Sequence, residues 1–110
     1  MPSHYIGELE QMVLLAILQV GDEAYGVAVM DELATRVDRE VSRGAMYATL
    51  DRLESKGLLA SRVGEPTPQR GGRGKRYLTV TPAGIAALKQ SQAALQELWR
   101  GLEPVLGERD

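Results

Sequence analysis

This chain of 110 residues contains no cysteine, which excludes a disulfide framework, a thiolate nucleophile and a thiolate metal site. It has a single histidine, His4, and no carboxylates clustered at metal-ligand spacing, so we expect neither an enzyme nor a metal or other cofactor. The longest apolar run extends only from Met12 to Leu18, whereas a membrane span needs roughly 18 residues or more. The acidic N-terminal segment is also unlike the basic start of a signal peptide. These absences predict a cytoplasmic protein without a membrane partner.

The chain has slightly fewer basic residues than acidic ones, 13 against 15, and its net charge is −2. Its distribution is uneven. Residues 42–76 hold eight basic side chains against three acidic ones, a net of +5, whereas residues 1–41 carry −6 and residues 77–110 carry −1. A cationic third inside an acidic protein is typical of a surface that binds nucleic acid. Chance fluctuation between short windows is the alternative explanation.

Hydrophobic periodicity predicts three helices in the first half of the chain. Apolar residues cover nearly every face of Glu8–Val20, as expected of a helix buried at the centre of a small domain. An i, i+3, i+4 stripe in residues 29–37 predicts an amphipathic second helix. Ser42 is suited to cap a third helix that runs to about Lys56, and Gly57 is suited to end it.

The period changes after the third helix. Alternation in residues 59–64 and a β-prone run in residues 77–80 predict two strands, joined by a long loop rich in Gly, Pro and Arg. Thr81 and Pro82 then open a last helix, which Gly101 and Pro104 are expected to bend or restart. Its mostly apolar positions recur with the 3.5-residue period of a coiled-coil seam. They are Ile85, Leu88, Gln92, Leu95, Trp99, Leu102 and Leu106.

The order helix, helix, helix, hairpin, long helix predicts a mainly α fold with a small β-hairpin, namely a winged helix-turn-helix. We expect residues 1–80 to form the DNA-binding domain and residues 81–110 the C-terminal dimerisation helix, together in one compact unit. In this fold the third helix enters the major groove of a duplex, and the hairpin tip lies along the backbone or the minor groove.

Candidate DNA contacts follow from the exposed side of the third helix and from the hairpin. Arg43 is the best candidate for a base contact, because a guanidinium can bond both acceptors of a guanine. Gly44 and Ala48 are small enough to let the helix approach the groove, and Ser42 suits a phosphate contact, as does Tyr47 unless its ring is half-buried in the core. Asp51 is expected to pair with Arg52 or to read a cytosine. The predicted contacts are Ser42, Arg43, Gly44, Tyr47, Ala48, Arg52, Arg73, Lys75 and Arg76, although the wing cations also fit a plain solvated charge run.

Four stretches of the chain resemble the PadR family of bacterial transcriptional regulators, in its short branch with a single C-terminal helix. They are LEQMVLLAIL, GDEAYGVAVMDEL, VSRGAMYATLDRLESKGLLASR and RGKRYLTVTPAGIAAL, and they cover most of residues 9–88 in the right order. The resemblance implies a winged helix-turn-helix homodimer that usually represses transcription from a double-stranded DNA operator, often relieved by a small aromatic or lipophilic effector. The chain departs from the family at Arg43, where Pro is frequent, and at Asp51, where a basic residue is frequent.

The seam on the last helix predicts a dimer, because a symmetry mate would bury it and set two recognition helices about one DNA turn apart. The alternative is a helix folded back on its own domain. Gln92 is expected to set the register of the seam. Trp99 is either a core residue or an effector contact, since some short relatives bind flat aromatic drugs with a Trp of this helix. The competing function is a protein-interaction module that docks a partner on the last helix.

Overall fold

The structure of the chain, a computed structural model, describes residues 5–64 and 74–106. Helices and strands follow one another in the predicted order. They are α1 (Glu8–Val20), α2 (Gly26–Val37), α3 (Arg43–Ser55), β1 (Leu59–Val63), β2 (Arg76–Val80), α4 (Pro82–Trp99) and α5 (Glu103–Leu106), with a 3-10 turn at Gly21–Glu23. Three helices followed by a hairpin and a long helix confirm the predicted winged helix-turn-helix class.

The core forms where α1, α2 and α3 meet the hairpin. α1 contributes Val13 and Leu14, which are fully buried, whereas Leu15 and Leu18 are 48% and 47% exposed, so α1 is not buried on nearly every face as predicted. Three side chains on one face of α3 are also fully buried: Met46, Leu50 and Leu53. Burying each such side chain stabilises the fold by roughly 1.5–3 kcal/mol. This packing fixes the orientation of α3 and turns its opposite face outward.

Local hydrogen bonds define both ends of α3. The Ser42 hydroxyl oxygen accepts from the backbone N–H of Ala45 at 3.1 Å, which makes Ser42 the predicted N-cap. Gly57, just beyond the helix, has φ +78°, the left-handed conformation that commonly ends helices at glycine. The Thr81 hydroxyl donates to the Gly57 carbonyl at 2.7 Å and accepts from the Gly84 N–H at 3.0 Å. Thr81 therefore caps α4 and joins its start to the end of α3.

The two strands form an antiparallel hairpin with Val63 opposite Arg76 at the end where the loop begins, which we call the hairpin base because the wing loop starts there. The segment between α1 and α2 lies along β2, where the Leu78 N–H donates to the Ala24 carbonyl at 2.9 Å. Most of the basic loop predicted between the strands, residues 65–73, is outside the described residues. The middle of β2 is thus joined to the segment that precedes α2.

α4 begins against the core and then leaves it. Leu88 and Ser91 are buried and Ile85 packs against the core, whereas the rest of α4 after Ser91 is half-buried or exposed. The helix ends at Trp99, and Gly101, with φ +80°, precedes α5, so the predicted break is confirmed. Within residues 5–64 and 74–106 no helix has the length and apolar character that crossing a membrane requires.

Candidate nucleic-acid interface

The outward face of α3 carries the residues that the sequence predicted for the DNA groove. Ser42, Arg43, Gly44 and Ala48 are all exposed. Arg43 has no ion-pair partner among the described residues. A Cβ built at Gly44 would meet nothing within 4 Å, so packing within the chain does not require glycine here. A cation that is unpaired in this part of the chain, beside small side chains, is suited to close contact with another molecule.

Tyr47 lies at the flank of this face and is half-buried. Its ring packs over the first residue of α2, because a Cβ built at Gly26 would lie 2.5 Å from the tyrosine hydroxyl oxygen and 2.9 Å from Cζ. The glycine therefore makes room for the ring, and the ring sets the spacing between α2 and α3. A phosphate contact by the Tyr47 hydroxyl stays a prediction.

Arg52, also predicted to contact DNA, forms an ion pair within the chain. Its Nε lies 3.3 Å from Oε2 of Glu10 in α1, and the Nζ of Lys56 lies 2.9 Å from the same oxygen. Glu10 is only 6% exposed and also accepts from the Gly7 N–H at 3.2 Å. Burial by itself raises the pKa of Glu10. The hydrogen bonds from Lys56, Gly7 and Arg52 and the charge of Lys56 outweigh that effect and lower the pKa below its ordinary value.

Glu10 was not among the residues predicted for the site, although the sequence contains a signal for it. A carboxylate in the first turn of a helix with apolar residues on nearly every face must find cations, since an unpaired buried charge is strongly destabilising. That argument predicts cationic partners for Glu10 without identifying them. The two partners are Arg52, in the last turn of α3, and Lys56, the residue that caps its end.

The base of the wing is a cluster of tyrosines and cations. Tyr25 and Tyr77 meet edge to face, with ring centroids 6.0 Å apart and planes at 84°. The Lys75 ammonium lies 3.8 Å from the Tyr25 ring centroid, and the Arg62 guanidinium lies 4.8 Å from that of Tyr77. Arg62 was not predicted, although strand pairing places it opposite Tyr77. Lys75 lies immediately before β2 with its ammonium over the Tyr25 ring, and Arg73 lies outside the described residues.

Arg76 joins the hairpin base to α3 by two ion pairs. Its Nη2 lies 2.7 Å from Oε1 of Glu54 and 3.3 Å from Oδ1 of Asp51. The Ser61 hydroxyl of β1 donates to Oε2 of Glu54 at 3.0 Å. The hydrogen bonds from Arg76 and then Ser61 lower the pKa of Glu54. Asp51 thus pairs with Arg76 and not with Arg52 as expected, and Arg76 is bound by two carboxylates.

The seam predicted on α4 divides into two parts. Ile85 and Leu88 pack on the core of their own chain. The remaining positions, Gln92, Leu95, Trp99, Leu102 and Leu106, are exposed. Leu98 and Val105, outside the predicted seam, are 72% and 79% exposed and widen the apolar surface. A groove of about 410 Å³ runs between α1 and α4, with Leu15, Leu18 and Trp99 in its walls. Trp99 is 55% exposed and so is not a core residue of its own chain.

The residues that the structure describes, 5–64 and 74–106, contain no group of three or more His, Cys, Asp or Glu side chains that could hold a metal ion. The site therefore consists of an exposed helix face, a cationic hairpin base and several ion pairs. This composition suits binding to a polyanion.

The model of the Transcriptional regulator PadR-like family matches residues 14–90. The transcriptional regulator Rv3488 of Mycobacterium tuberculosis is 43% identical over 81 residues, which are 72% of this chain and 69% of that protein. A PadR-like transcription factor from Bacteroides fragilis superposes with a TM-score of 0.72 at 26% identity, over 88% of each chain. A PadR family transcriptional regulator from Eggerthella lenta gives a TM-score of 0.68 at 29% identity, over 93% of this chain and 88% of that one. The matched range includes all of α3 and both strands.

Proposed function

Since the chain belongs to the PadR-like family of transcriptional regulators, which bind DNA and are not enzymes, we propose that it acts as a homodimeric repressor on a double-stranded operator in the cytoplasm. The observation that carries the proposal is the outward face of α3. There Arg43 has no acidic partner among the described residues, and Gly44 and Ala48 leave the helix backbone accessible.

In the proposed complex α3 lies in the major groove and the wing follows the backbone. Arg43 reads a guanine, while the N-cap Ser42 and the hydroxyl of Tyr47 contact phosphate. Lys75 and Arg73 place positive charge beside the phosphates of the DNA backbone. Arg52 makes no DNA contact in the proposed complex, because its guanidinium pairs with Glu10 of α1.

We propose that the exposed apolar surface of α4 and α5 is the homodimer interface and that the groove beside Trp99 admits a flat aromatic effector. The groove is lined mainly by apolar side chains from α1 and α4, with an indole at its edge. Such a pocket suits a planar apolar ligand, which would stack on the Trp99 ring. A ligand bound there contacts α1 directly, and α1 carries Glu10, the partner of two cations of α3.

The DNA-binding proposal is tested by isolating genomic fragments bound by the purified protein and titrating the enriched sequence at increasing salt. Affinity is expected to fall by about a thousandfold or more between roughly 50 mM and 200 mM salt if six or more phosphates are neutralised. Arg43→Gln is expected to weaken binding to the enriched sequence by about 10- to 100-fold, and binding to a scrambled duplex much less. Arg36→Gln, which removes an exposed arginine of α2 that is paired with Glu32, is the matched control.

Salt-independent binding would contradict the interface described above, and an equal loss on both duplexes after Arg43→Gln would contradict a base contact. Repression is tested by adding the protein to a transcription reaction that starts from the enriched sequence. Lower transcript yield is expected, and unchanged or higher yield would reject the repressor assignment.

A further inference from the structure

Two acidic residues lie on the helix proposed to enter the groove. Asp51 and Glu54 are one turn apart on α3, and both bind the guanidinium of Arg76 at the start of β2. Ser61 of β1 donates to both carboxylate oxygens of Glu54, at 3.3 Å and 3.0 Å, so both strands of the hairpin hold this side chain. We call Asp51, Glu54 and Ser61 the acidic clamp.

The clamp gives Arg76 a different electrostatic environment from that of Arg43. Two carboxylates surround one guanidinium, so the group carries a net negative charge, whereas Arg43 has no carboxylate partner among the described residues. The side chain of Arg76 is only 30% exposed, while that of Asp51 is 73% exposed. A phosphate that approached Arg76 would first meet the Asp51 carboxylate. Charge-assisted hydrogen bonds of this kind are about twice as strong as neutral ones, so phosphate would have to displace a good partner.

The Glu54 carboxylate of the clamp is negatively charged at neutral pH. The hydrogen bonds from Arg76 and Ser61 hold the pKa of Glu54 below its usual range, so the carboxylate is ionised at neutral pH. Non-specific affinity for DNA depends on how many phosphates are neutralised by cations, each of which releases counterions. A cation that is already neutralised within the protein adds nothing to that number.

We propose that the acidic clamp keeps Arg76 from DNA phosphate and thereby lowers the affinity of the protein for DNA of arbitrary sequence, which makes Asp51 and Glu54 specificity-determining residues. The proposal rests on the DNA-binding function proposed above. It assigns Arg76 a positioning role, joining the wing to α3, in place of the backbone contact predicted from the sequence.

The test measures affinity for a random-sequence duplex as a function of salt for four variants. They are Arg76→Gln, the double variant Asp51→Asn/Glu54→Gln, the triple variant that combines all three changes, and the control Glu32→Gln/Glu97→Gln. The control removes two acidic charges outside the clamp and also frees arginines, since Glu32 pairs with Arg36 and Glu97 pairs with Arg100. Each variant is compared with the unchanged protein.

Arg76→Gln alone leaves both carboxylates without their cation and is expected to lower affinity a few-fold, without the loss of roughly 0.9 in salt slope that a lost phosphate contact would give. Opening the clamp by the double variant is expected to raise affinity for the random duplex about tenfold. The salt slope should steepen by roughly 0.9 for each new phosphate contact. The triple variant should return to the salt slope of the unchanged protein, because the gain needs the freed arginine. The control should show a smaller rise, so the ratio of enriched to random affinity should fall most in the double variant.

Two results overturn the proposal. One is a loss of salt slope in Arg76→Gln, which means that Arg76 already contacts phosphate. The other is a double variant that gains no more than the control. If the double variant does not fold, Asp51→Asn alone removes the exposed carboxylate while Glu54 still binds Arg76, and it should raise affinity for the random duplex more than the single control Glu97→Gln does. An equal rise in these two single variants overturns the proposal. A protein that binds no duplex in a salt-dependent manner fails the DNA-binding proposal itself, which is a different outcome from either of these.

Discussion

Glu10 shows how the partners of a single side chain decide whether a buried charge is tolerated. A carboxylate that is 6% exposed would be strongly destabilising alone. Here Lys56 and Arg52 contribute positive charge and the Gly7 N–H donates a further hydrogen bond. The same contacts join the start of α1 to the end of α3. Glu10 therefore positions α3 although it lies outside the outward face of that helix.

Replacing this carboxylate by an amide is expected to reduce stability in a pH-dependent way. Because folding lowers the pKa of Glu10, its contribution is fully present above the pKa of the unfolded chain and is lost as pH falls through the folded pKa. At neutral pH, Glu10→Gln should lower the free energy of unfolding by roughly 1 kcal/mol, since both cations are half exposed and partly screened by water. The difference between the two proteins should shrink at about pH 3.5.

Urea denaturation of both proteins at the two pH values measures this difference. Glu97→Gln is the control, because the side chains of Glu97 and its partner Arg100 are 68% and 76% exposed and the pair is expected to contribute little. A loss of equal size at both pH values would show that the Glu10 charge is not the source of the effect.

The ends of the elements were predictable because they depend on neighbouring residues. The N-cap contact of Ser42 spans three residues, and the glycine stop at Gly57 follows directly on α3. The ion pairs were not predictable in the same way. Lys56 and Glu10 are 46 residues apart, and Arg76 and Glu54 are 22 apart. Such partners depend on how α1 and the hairpin pack on α3, which helical spacing does not specify.

In the candidate site, too, the local features were predictable and the distant ion pairs were not. The outward face of α3 followed from helical spacing and from the apolar residues opposite it. The sequence could not show that Arg76 and Arg52 would be bound by carboxylates, since charge counts treat every arginine alike. Six of the eight basic residues in the cationic third, residues 42–76, are described, and three of these, Arg52, Lys56 and Arg76, lie in ion pairs.

Two glycines in the first turns of helices provide a matched test of packing at the level of the elements. A Cβ at Gly84 would overlap the Leu58 carbonyl oxygen and Val80, so glycine lets α4 start against the hairpin. Gly84→Ala is expected to lower the free energy of unfolding by about 1–3 kcal/mol, as overpacking does, despite the better helix propensity of alanine. Gly44→Ala meets open space in the chain and should be neutral or stabilising by up to about 1 kcal/mol.

Thermal and urea unfolding of the two variants at the same protein concentration check the prediction. The substitution is identical, so the difference between the variants isolates the contact at the start of α4. Equal stability of the two variants would mean that α4 shifts freely at its start, and would contradict close packing of Gly84.

At the scale of the whole molecule, the described part of the chain leaves the apolar side chains of α4 and α5 largely uncovered. The radius of gyration is 16.3 Å, against about 13 Å for a compact domain of 100 residues. Between a third and four fifths of each large apolar side chain on this surface is exposed: Leu95, Leu98, Trp99, Leu102, Val105 and Leu106. Contiguous patches of this kind mark interaction sites. The homodimer proposed above would cover this surface and would also supply a second α3 for a two-fold operator.

Light scattering is expected to give twice the chain mass of 12.0 kDa for the unchanged protein and a mass near 12.0 kDa for Leu98→Gln/Leu102→Gln. The melting temperature of the unchanged protein should rise with protein concentration, because association favours the folded state by mass action. The melting temperature of Leu98→Gln/Leu102→Gln should not depend on concentration. Operator affinity should fall by 100-fold or more, on the order expected when two half-sites are no longer bound together. Val63→Gln, which removes an apolar side chain of similar exposure on β1, should leave the mass unchanged. A single-chain mass for the unchanged protein at every concentration would favour a different protein as the occupant of this surface.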